Sequence, residues 1–468
     1  MTDLLAGLTA LLGPQHVLTD PGLTGRYMID QRRQYHGSAL AVVRPGNTEE
    51  VAAVMRLAAL AEASVVPIAG NTSYCGGATV DETGTQIALS LERLNRIRDI
   101  DAAGWCMAMD AGVVLADAQT AAQEAGLLLP LSLGSEGSCM VGGCVSTNAG
   151  GLTALRYGVT RDLVLGLEVV LPDGRILDQM LRLRKNNAGY DLRHLWIGTE
   201  GTLGIVTGVV MRLFPLPRQS ATAWISLRKG ATLAPILRHL RVEAADLLTS
   251  FEILRPGALS CAARLRGAAL PVPVGEEGAL LIELSTGSST LDLEALAAEA
   301  LAPLAEWPEI QELILTRSAR QRDELWAIRE MIPEAEKHCG GAVKHDISVP
   351  LSAVDRFLAE AEALVRAELP GAALSVYGHA GDGNIHFNVM SPEGTQLAEF
   401  SRRLAEGISW QIYDLARELG GTFSAEHGVG RLKRDLLVRY GEPTALDCMR
   451  RLRATLDPGA VCNPAAIV

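Results

Sequence analysis

Two histidines, His379 and His386, flank a Gly/Asp turn inside the apolar stretch SVYGHAGDGNIHFNVM, residues 375–390. The apolar residues on each side of the turn predict two strands joined by a short connection, residues 380–385. Because paired strands hold facing Cβ atoms about 4.5 to 5.5 Å apart, the two imidazoles could converge on one metal ion. The alternative is a hairpin with two polar residues at its rim. The hairpin alone does not decide between them.

A third ligand is available later in the chain, where SAEHGVG places Glu426 beside His427. Two imidazoles and a carboxylate with one open position are typical of catalytic zinc, because structural zinc sites are usually closed by four protein ligands. The same donors would also accept Mn²⁺ or Co²⁺. His379, His386 and Glu426 are therefore candidate ligands for such a metal.

Composition describes a soluble enzyme of about two or three domains. The chain has 468 residues, 48% of them hydrophobic and 21% charged, and no apolar stretch approaches the roughly 18 residues of a membrane span. Its eight cysteines form no C-x-x-C pair, so neither a zinc knuckle nor a disulfide framework is indicated. The net charge of −12 argues against a nucleic-acid partner but leaves a small anion open. The first residues lack the basic region of a secretory signal, so we expect a cytoplasmic protein.

The region that must support this chemistry begins with a strand, a helix, a strand and a glycine loop, over AVVRPGNTEEVAAVMRLAALAEASVVPIAGNTSYCGG. Thr48 is the expected N-cap of the helix. Two further glycine clusters follow, SLGSEGSCMVGGCVSTNAGG and LWIGTEGTLGIVTG. Glycine-rich turns can expose consecutive N–H groups to a phosphate, although each loop alone could be a structural turn. The first loop has neither the Lys of a P-loop nor the G-x-G-x-x-G fingerprint, so it supports neither ATP hydrolysis nor a Rossmann NAD site.

The character of the chain changes near Ala221, after which Ala/Leu-rich amphipathic helices alternate with strands to about Glu418. This pattern predicts a second α+β domain. We place the boundaries at 1–218, 219–420 and 421–468.

Several motifs, taken in order, resemble the FAD-linked oxidoreductases of the vanillyl-alcohol oxidase type, and most closely their D-2-hydroxyglutarate and D-lactate dehydrogenase branch. They are VVRPGNTEEV, VPIAGNTSYCGG, PLSLGSEGSCMVGGCVSTNAGG, LRYGVTRDLVLGLEVVLPDGR and YDLRHLWIGTEGTLGIVT. The resemblance covers nearly the whole chain. It implies an α+β fold in which 1–218 is a two-subdomain FAD-binding domain, 219–420 a substrate and cap domain, and 421–468 a segment returning to the FAD domain.

FAD is the cofactor that this resemblance implies, with its pyrophosphate on the loop from Ala69 to Gly77. The binding residues that it implies are Ala69, Gly70, Asn71, Thr72, Ser73, Gly76, Gly77, Ser138, Gly142, Gly143, Ser146, Asn148 and Ile205. Some relatives bond the flavin covalently to a histidine in the first loop. This loop has none, so we expect noncovalent FAD.

The resemblance also assigns the reaction centre. G-H-x-G-D-G-N-x-H followed by E-H-G makes His379, His386 and Glu426 the metal ligands, and it makes His427 the general base; His427 could instead orient or cap Glu426. The substrate-binding residues implied by the resemblance are Arg329, Lys344 and Asn388. Without the resemblance, Arg329 would be read as a surface charge on a helix. Asp382 could hold a ligand imidazole or simply make the turn.

The expected activity is oxidation of a D-2-hydroxy acid to the 2-oxo acid, with hydride transfer to flavin N5. D-2-hydroxyglutarate is the first expected substrate, followed by D-lactate or D-malate. Electrons would leave to an electron-transfer flavoprotein, a cytochrome or a quinone, and a homodimer is plausible. The alternatives are a noncatalytic subunit of a glycolate-oxidase-like complex and a non-redox flavoenzyme of the same fold, similar to alkyl-dihydroxyacetone-phosphate synthases.

Overall fold

The computed structural model describes residues 2–405 and 407–468. The chain divides into two compact units. The first comprises Met1–Gly150, Gly158–Pro215 and Glu426–Val468, and the second comprises Gly151–Tyr157 and Leu216–Ala425. The C-terminal stretch after Ala425 thus packs with the N-terminal half of the chain, while the short stretch before Gly158 packs with the second unit.

Within the described residues, the first unit holds a four-stranded sheet, a five-stranded sheet and a short strand pair. In spatial order the strands are Val17–Leu18, Ala41–Val43, Ile87–Ser90 and Val65–Ile68; then Ile97–Asp101, Cys106–Asp110, Ile205–Arg212, Val164–Val170 and Ile176–Gln179; then Phe214–Pro215 with Leu127–Leu128. Its α-helices are Thr2–Leu12, Pro21–Thr24, Thr48–Leu60, Leu115–Glu124, Val141–Thr147, Thr160–Leu163, Arg193–Trp196, Arg434–Tyr440 and Pro443–Leu456.

The helix Thr48–Leu60 lies between the first two parallel strands, as the sequence predicts, but its N-cap is Asn47 rather than Thr48. The Asn47 side chain accepts a hydrogen bond from the N–H of Glu50. Thr48 instead donates its hydroxyl to the Glu168 carboxylate at 2.6 Å. Thr48 was a reasonable candidate because Asn and Thr both cap helices, and only the position of Glu168 in the folded unit engages the Thr48 hydroxyl.

The second unit consists of helices and one large sheet. Its strands, as far as the structure describes them, run in the order Ile310–Leu315, Gln219–Leu227, Gly278–Thr286, Leu248–Leu254, Leu374–Gly378, Asn384–Met390 and Ala342–Ser348, and each neighbouring pair is antiparallel. The α-helices are Ala154–Tyr157, Leu233–Glu243, Pro256–Arg266, Leu293–Leu301, Ala319–Glu330, Ile332–His338, Val354–Glu368, Leu397–Ala405 and Ile408–Glu418.

The two faces of this sheet differ in chemistry. Since side chains alternate along a strand, directly opposed residues share a face. One face is mainly apolar and includes Phe387, which meets Phe357 of the helix Val354–Glu368 with ring centroids 5.8 Å apart. The other face carries a row of polar groups on neighbouring strands: Thr222, Glu283, Glu252, Tyr377, Ser375, His386, Asn388, Asp346 and Lys344. The candidate chemistry of this unit lies on that polar face.

No helix among the described residues is long and apolar enough to cross a membrane. The cysteines are free thiols; six of them are buried, Cys339 is half-buried and Cys448 is exposed.

Candidate functional site

The predicted hairpin of the two histidines is confirmed. Its strands, Leu374–Gly378 and Asn384–Met390, are antiparallel, and His386 lies directly opposite Tyr377. His379 follows the first strand, and its ring centroid lies 5.6 Å from that of His386 in an edge-to-face arrangement. Both imidazoles are buried, at 7% and 8% exposure. They are therefore part of the interior and not polar residues at the rim of the hairpin.

A buried carboxylate, Glu252, orients His379. The Nδ1 atom of His379 lies 2.6 Å from Oε1 of Glu252, and the other carboxylate oxygen accepts a hydrogen bond from Nε of Arg329 at 2.7 Å. Burial by itself would raise the pKa of Glu252, but the charges of His379 and Arg329, with their hydrogen bonds, lower it to about 2. With Nδ1 engaged by a carboxylate, Nε2 is the nitrogen of His379 that suits a metal ion.

Arg329 is thus a buried residue of the site and not a surface charge. The residue is 6% exposed, and its guanidinium lies 4.9 Å from the centre of the Tyr377 ring. That ring in turn lies 5.0 Å from His386. Asp382, the alternative partner for an imidazole, accepts a hydrogen bond from the N–H of Asn384 and so makes the turn. The partner that holds the His379 imidazole is therefore Glu252, a role that the sequence left open for Asp382.

A second carboxylate, Asp346, adjoins His386. Asp346 lies opposite His386 on the next strand, and its Oδ1 is 3.9 Å from Nδ1 of the imidazole. Its Oδ2 accepts a hydrogen bond from the N–H of Ala425 at 3.1 Å. Ala425 is the last residue of the second unit, and the peptide bond to Glu426 leads into the first.

Lys344 and Asn388 lie opposite each other on neighbouring strands, and both contact Glu336. The ammonium of Lys344 lies 2.9 Å from Oε2 of Glu336, and Nδ2 of Asn388 donates to Oε1 at 2.7 Å. Glu336 and Asn388 are each 1% exposed. The structure therefore brings together the predicted Lys344 and Asn388, but around an internal carboxylate that sequence reasoning missed.

In the first unit, the three glycine clusters converge. A Cβ on Gly70 would lie 2.3 Å from the carbonyl oxygen of Ser138, so only glycine allows this approach of the first loop to the second. The second cluster meets the third through the N–H of Glu200, which donates to the Ser146 carbonyl at 2.8 Å. Ile205 is buried at the start of the strand Ile205–Arg212.

The first loop offers backbone donors at its turn. The N–H groups of Asn71, Thr72 and Ser73 donate to no acceptor within residues 2–405 and 407–468, although these residues are half-buried. Consecutive N–H groups in a tight turn form an anion cradle suited to a pyrophosphate. Asn71 and Asn148 adopt the left-handed conformation, each with φ of 51°, which Asn tolerates better than most residues. The residues present therefore fit a dinucleotide cofactor.

Glu426 and His427 lie in the first unit beside this loop. Nε2 of His427 is 3.6 Å from Oε1 of Glu426, and the His427 ring makes an edge contact with Tyr74 of the first glycine loop, at 5.0 Å between centroids. Both side chains are half-buried. The proposed base is thus held against the loop that resembles the FAD pyrophosphate loop.

Glu200 holds the segment that carries His427. Its two carboxylate oxygens accept hydrogen bonds from the N–H groups of Val429 and Gly430, at 2.7 and 2.8 Å. Burial raises the pKa of Glu200, and these two donors oppose that rise. Glu200 has a φ of 51°, a conformation that favours glycine, so its side chain must contribute enough to offset the strain. Sequence reasoning missed this residue.

We expect Glu200→Gln to loosen the segment, because an amide oxygen can replace only one of the two acceptors and the NH₂ group would face an N–H. The free energy of unfolding should fall by about 1–3 kcal/mol, measured by urea denaturation. kcat should fall about tenfold because His427 is no longer held. Exposed Glu124 in the same unit provides the control Glu124→Gln, which should change neither quantity. An unchanged kcat in a destabilised Glu200→Gln variant would limit Glu200 to a structural role.

Sequence reasoning missed three buried carboxylates of the site: Glu252, Asp346 and Glu336. Only Glu252 has a local sequence feature that could have marked it. Glu252 interrupts the apolar strand segment SFEILR, where a lone carboxylate is unusual. Asp346 adjoins Lys344 and His345 in a similar strand. Glu336 lies on a helix rich in charges, where nothing marks it as buried.

A flavin-binding fold with a histidine hairpin on a second unit defines an FAD-linked oxidoreductase, and comparison with known proteins agrees. Residues 39–179 match the FAD binding domain family, and residues 216–467 match the C-terminal domain of FAD linked oxidases. The chain belongs to the FAD-linked oxidases, within the group that contains the D-2-hydroxyglutarate dehydrogenases.

The chain is 36% identical to the mitochondrial D-2-hydroxyglutarate dehydrogenase of Bos taurus, over 99% of this chain and 82% of that protein. It is 35% identical to the D-2-hydroxyglutarate dehydrogenase of Xanthomonas citri pv. viticola, over 95% and 93%. The solved structure of p-cresol methylhydroxylase with substrate bound shares the fold, with a TM-score of 0.78, 18% identity and coverage of 99% and 95%. An alkyldihydroxyacetonephosphate synthase structure has a TM-score of 0.72 at 16% identity, with coverage of 99% and 86%. These comparisons confirm the expected fold class and the oxidoreductase assignment.

Proposed function

We propose that this flavoenzyme oxidises a D-2-hydroxy acid to the 2-oxo acid at a centre built from His379, His386, Glu426 and His427. The observation that carries the proposal is the Arg329–Glu252–His379 arrangement, with His386 5.6 Å from His379. It combines an oriented imidazole, a second imidazole and a cation in one buried cluster. A metal-assisted reaction on a small anion needs these groups.

FAD would be held by the first glycine loop through its backbone N–H groups and by the second cluster, from Ser138 to Asn148, with Ile205 alongside. A bound FAD would supply the acceptor for the hydride that leaves C2 of the substrate with both electrons of the C–H bond. Since the first loop contains no histidine, the proposal is noncovalent attachment.

His379, His386 and Glu426 would hold the metal, for which Zn²⁺ is the first candidate and Mn²⁺ or Co²⁺ the alternatives. The donor chemistry fits, because the His379 Nδ1 is engaged by Glu252, and Asp346 adjoins His386. When bound, the metal acts as a Lewis acid that lowers the pKa of the substrate hydroxyl. Glu426, which follows the last residue of the second unit, completes the ligand set that the family resemblance implies.

His427 would accept the hydroxyl proton, so that loss of this proton and of the hydride converts the alcohol to the ketone. Arg329 would bind the substrate carboxylate, because a guanidinium can present two parallel N–H donors. Lys344 and Asn388 would form the neighbouring polar subsite.

D-2-hydroxyglutarate is the substrate in the names of the relatives, and it is the first substrate to test. D-lactate and D-malate are the next candidates for this chain. An electron-transfer flavoprotein, cytochrome or quinone would accept the electrons from reduced FAD. A homodimer and a cytoplasmic location belong to the same proposal, and sedimentation and localisation of the tagged chain test them.

The decisive experiment is anaerobic flavin reduction. D-2-hydroxyglutarate, its L-enantiomer, D-malate and D-lactate are each mixed with the holoenzyme before and after chelation of the metal. Bleaching by a D-acid that chelator abolishes and Zn²⁺ restores is the expected result, and elemental analysis identifies the native metal. Failure of every acid to bleach metal-replete enzyme would contradict the proposal and favour a noncatalytic subunit or a non-redox flavoenzyme.

A further inference from the structure

The subsite of Lys344 contains an internal anion. Glu336 is buried at 1% exposure on the helix Ile332–His338, and its carboxylate contacts both the Lys344 ammonium and the Asn388 amide. A buried carboxylate without a cation would be strongly unfavourable. Separation of Glu336 from Lys344 would therefore be costly. Lys344 is therefore not an uncompensated cation.

Arg329 is compensated in the same way. Its Nε lies 2.7 Å from a carboxylate oxygen of Glu252, and both side chains are buried. The two cations that resemble the family's anion-binding pair, Arg329 and Lys344, are thus matched one for one by Glu252 and Glu336. Whichever cation contacts the carboxylate beside the reacting carbon, the other brings no net positive charge to a second carboxylate.

We infer that Glu336 makes this chain discriminate against dicarboxylates, and that its preferred substrate is a D-2-hydroxy acid with an uncharged side chain. The inference rests on the proposed function and narrows its substrate class. A second substrate carboxylate would face the Glu336 charge or would have to displace it from Lys344, and either event costs the attraction of the Lys344–Glu336 ion pair.

Two buried polar atoms in this subsite also have no partner among the described residues. Oδ1 of Asn388 and Oγ of Ser375, on directly opposed residues, have no hydrogen-bond partner within the described part of the chain, and both residues are fully buried. Buried polar atoms in folded proteins are nearly always satisfied, so these atoms point to a ligand in this subsite.

The test compares D-2-hydroxyglutarate with D-2-hydroxyvalerate, which has the same carbon chain but a methyl group in place of the distal carboxylate. We expect wild-type kcat/KM to be about 10- to 100-fold higher for D-2-hydroxyvalerate, which corresponds to one charged hydrogen bond. In Glu336→Gln the ratio should move toward D-2-hydroxyglutarate by about tenfold or more, mainly through KM. Glu334→Gln is the matched control, since Glu334 is an exposed carboxylate on the same helix, paired with exposed Lys337.

Binding of the products gives a readout that does not depend on turnover. Calorimetry on the wild-type holoenzyme should show tighter binding of 2-oxovalerate than of 2-oxoglutarate, and this comparison remains available if Glu336→Gln does not fold. Preference for the dicarboxylate in both kinetics and calorimetry would overturn the inference. Absence of turnover with every acid would instead count against the proposed function, and the calorimetric preference would still decide the role of Glu336.

Discussion

His386→Ala is expected to remove the metal and with it at least about three orders of magnitude of kcat/KM, or about 4 kcal/mol of transition-state stabilisation. The reason is that His386 supplies one of the two imidazoles of the proposed ligand set, so its loss leaves one imidazole and one carboxylate; Asp346 and Tyr377 lie opposite it on the neighbouring strands. Elemental analysis of the purified variant and flavin reduction by the D-acid measure the two losses.

The control for this substitution is His338→Ala, at an exposed position of the same unit. It should keep both metal content and activity. Noncovalent FAD should remain in both variants, because the residues proposed to hold FAD belong to the first unit. A His386→Ala variant with full metal content and wild-type activity would show that the histidine hairpin is not the metal centre.

Glu252→Gln is expected to have the second largest effect. The carboxylate contacts a buried guanidinium and an imidazole at once, and removal of its charge leaves Arg329 without compensation in the interior. Loss of one member of a buried ion pair typically costs about 3–5 kcal/mol of stability. Loss of the partner that orients a metal-binding histidine typically lowers metal affinity by about 10- to 100-fold. Urea denaturation and metal titration of the variant measure these two quantities.

Glu283 provides a matched control for Glu252. It lies on the adjacent strand and on the same face of the sheet, and it is held by the same helix, through Trp326 Nε1 at 2.8 Å. Burial raises the pKa of Glu283, whereas His379 and Arg329 lower that of Glu252. Glu283→Gln should be tolerated, since an amide oxygen can accept the same hydrogen bond from Trp326 Nε1. Equal losses of metal affinity in the two variants would contradict a specific role for Glu252.

The hairpin of His379 and His386 was predictable because its determinants are local. Apolar residues on both sides of a Gly/Asp turn determine which strands pair and where the histidines fall. Arg329 shows the opposite case. Its helix is highly charged, and nothing in the neighbouring residues shows that Arg329 is the buried one among these charges. Its burial depends on Glu252, more than seventy residues earlier, which the sheet places beneath the helix.

The sequence alone determined the family, the glycine loops, the hairpin and the identity of the donor residues, since each depends on residue types at short spacing. The tertiary structure decided which partner each buried carboxylate contacts: Glu252 contacts Arg329, Glu336 contacts Lys344, and Glu200 accepts hydrogen bonds from the N–H groups of Val429 and Gly430. Such pairings join residues that lie far apart in the sequence. Burial makes each charge costly without a partner, and only the folded sheet and loops decide which partner is within reach.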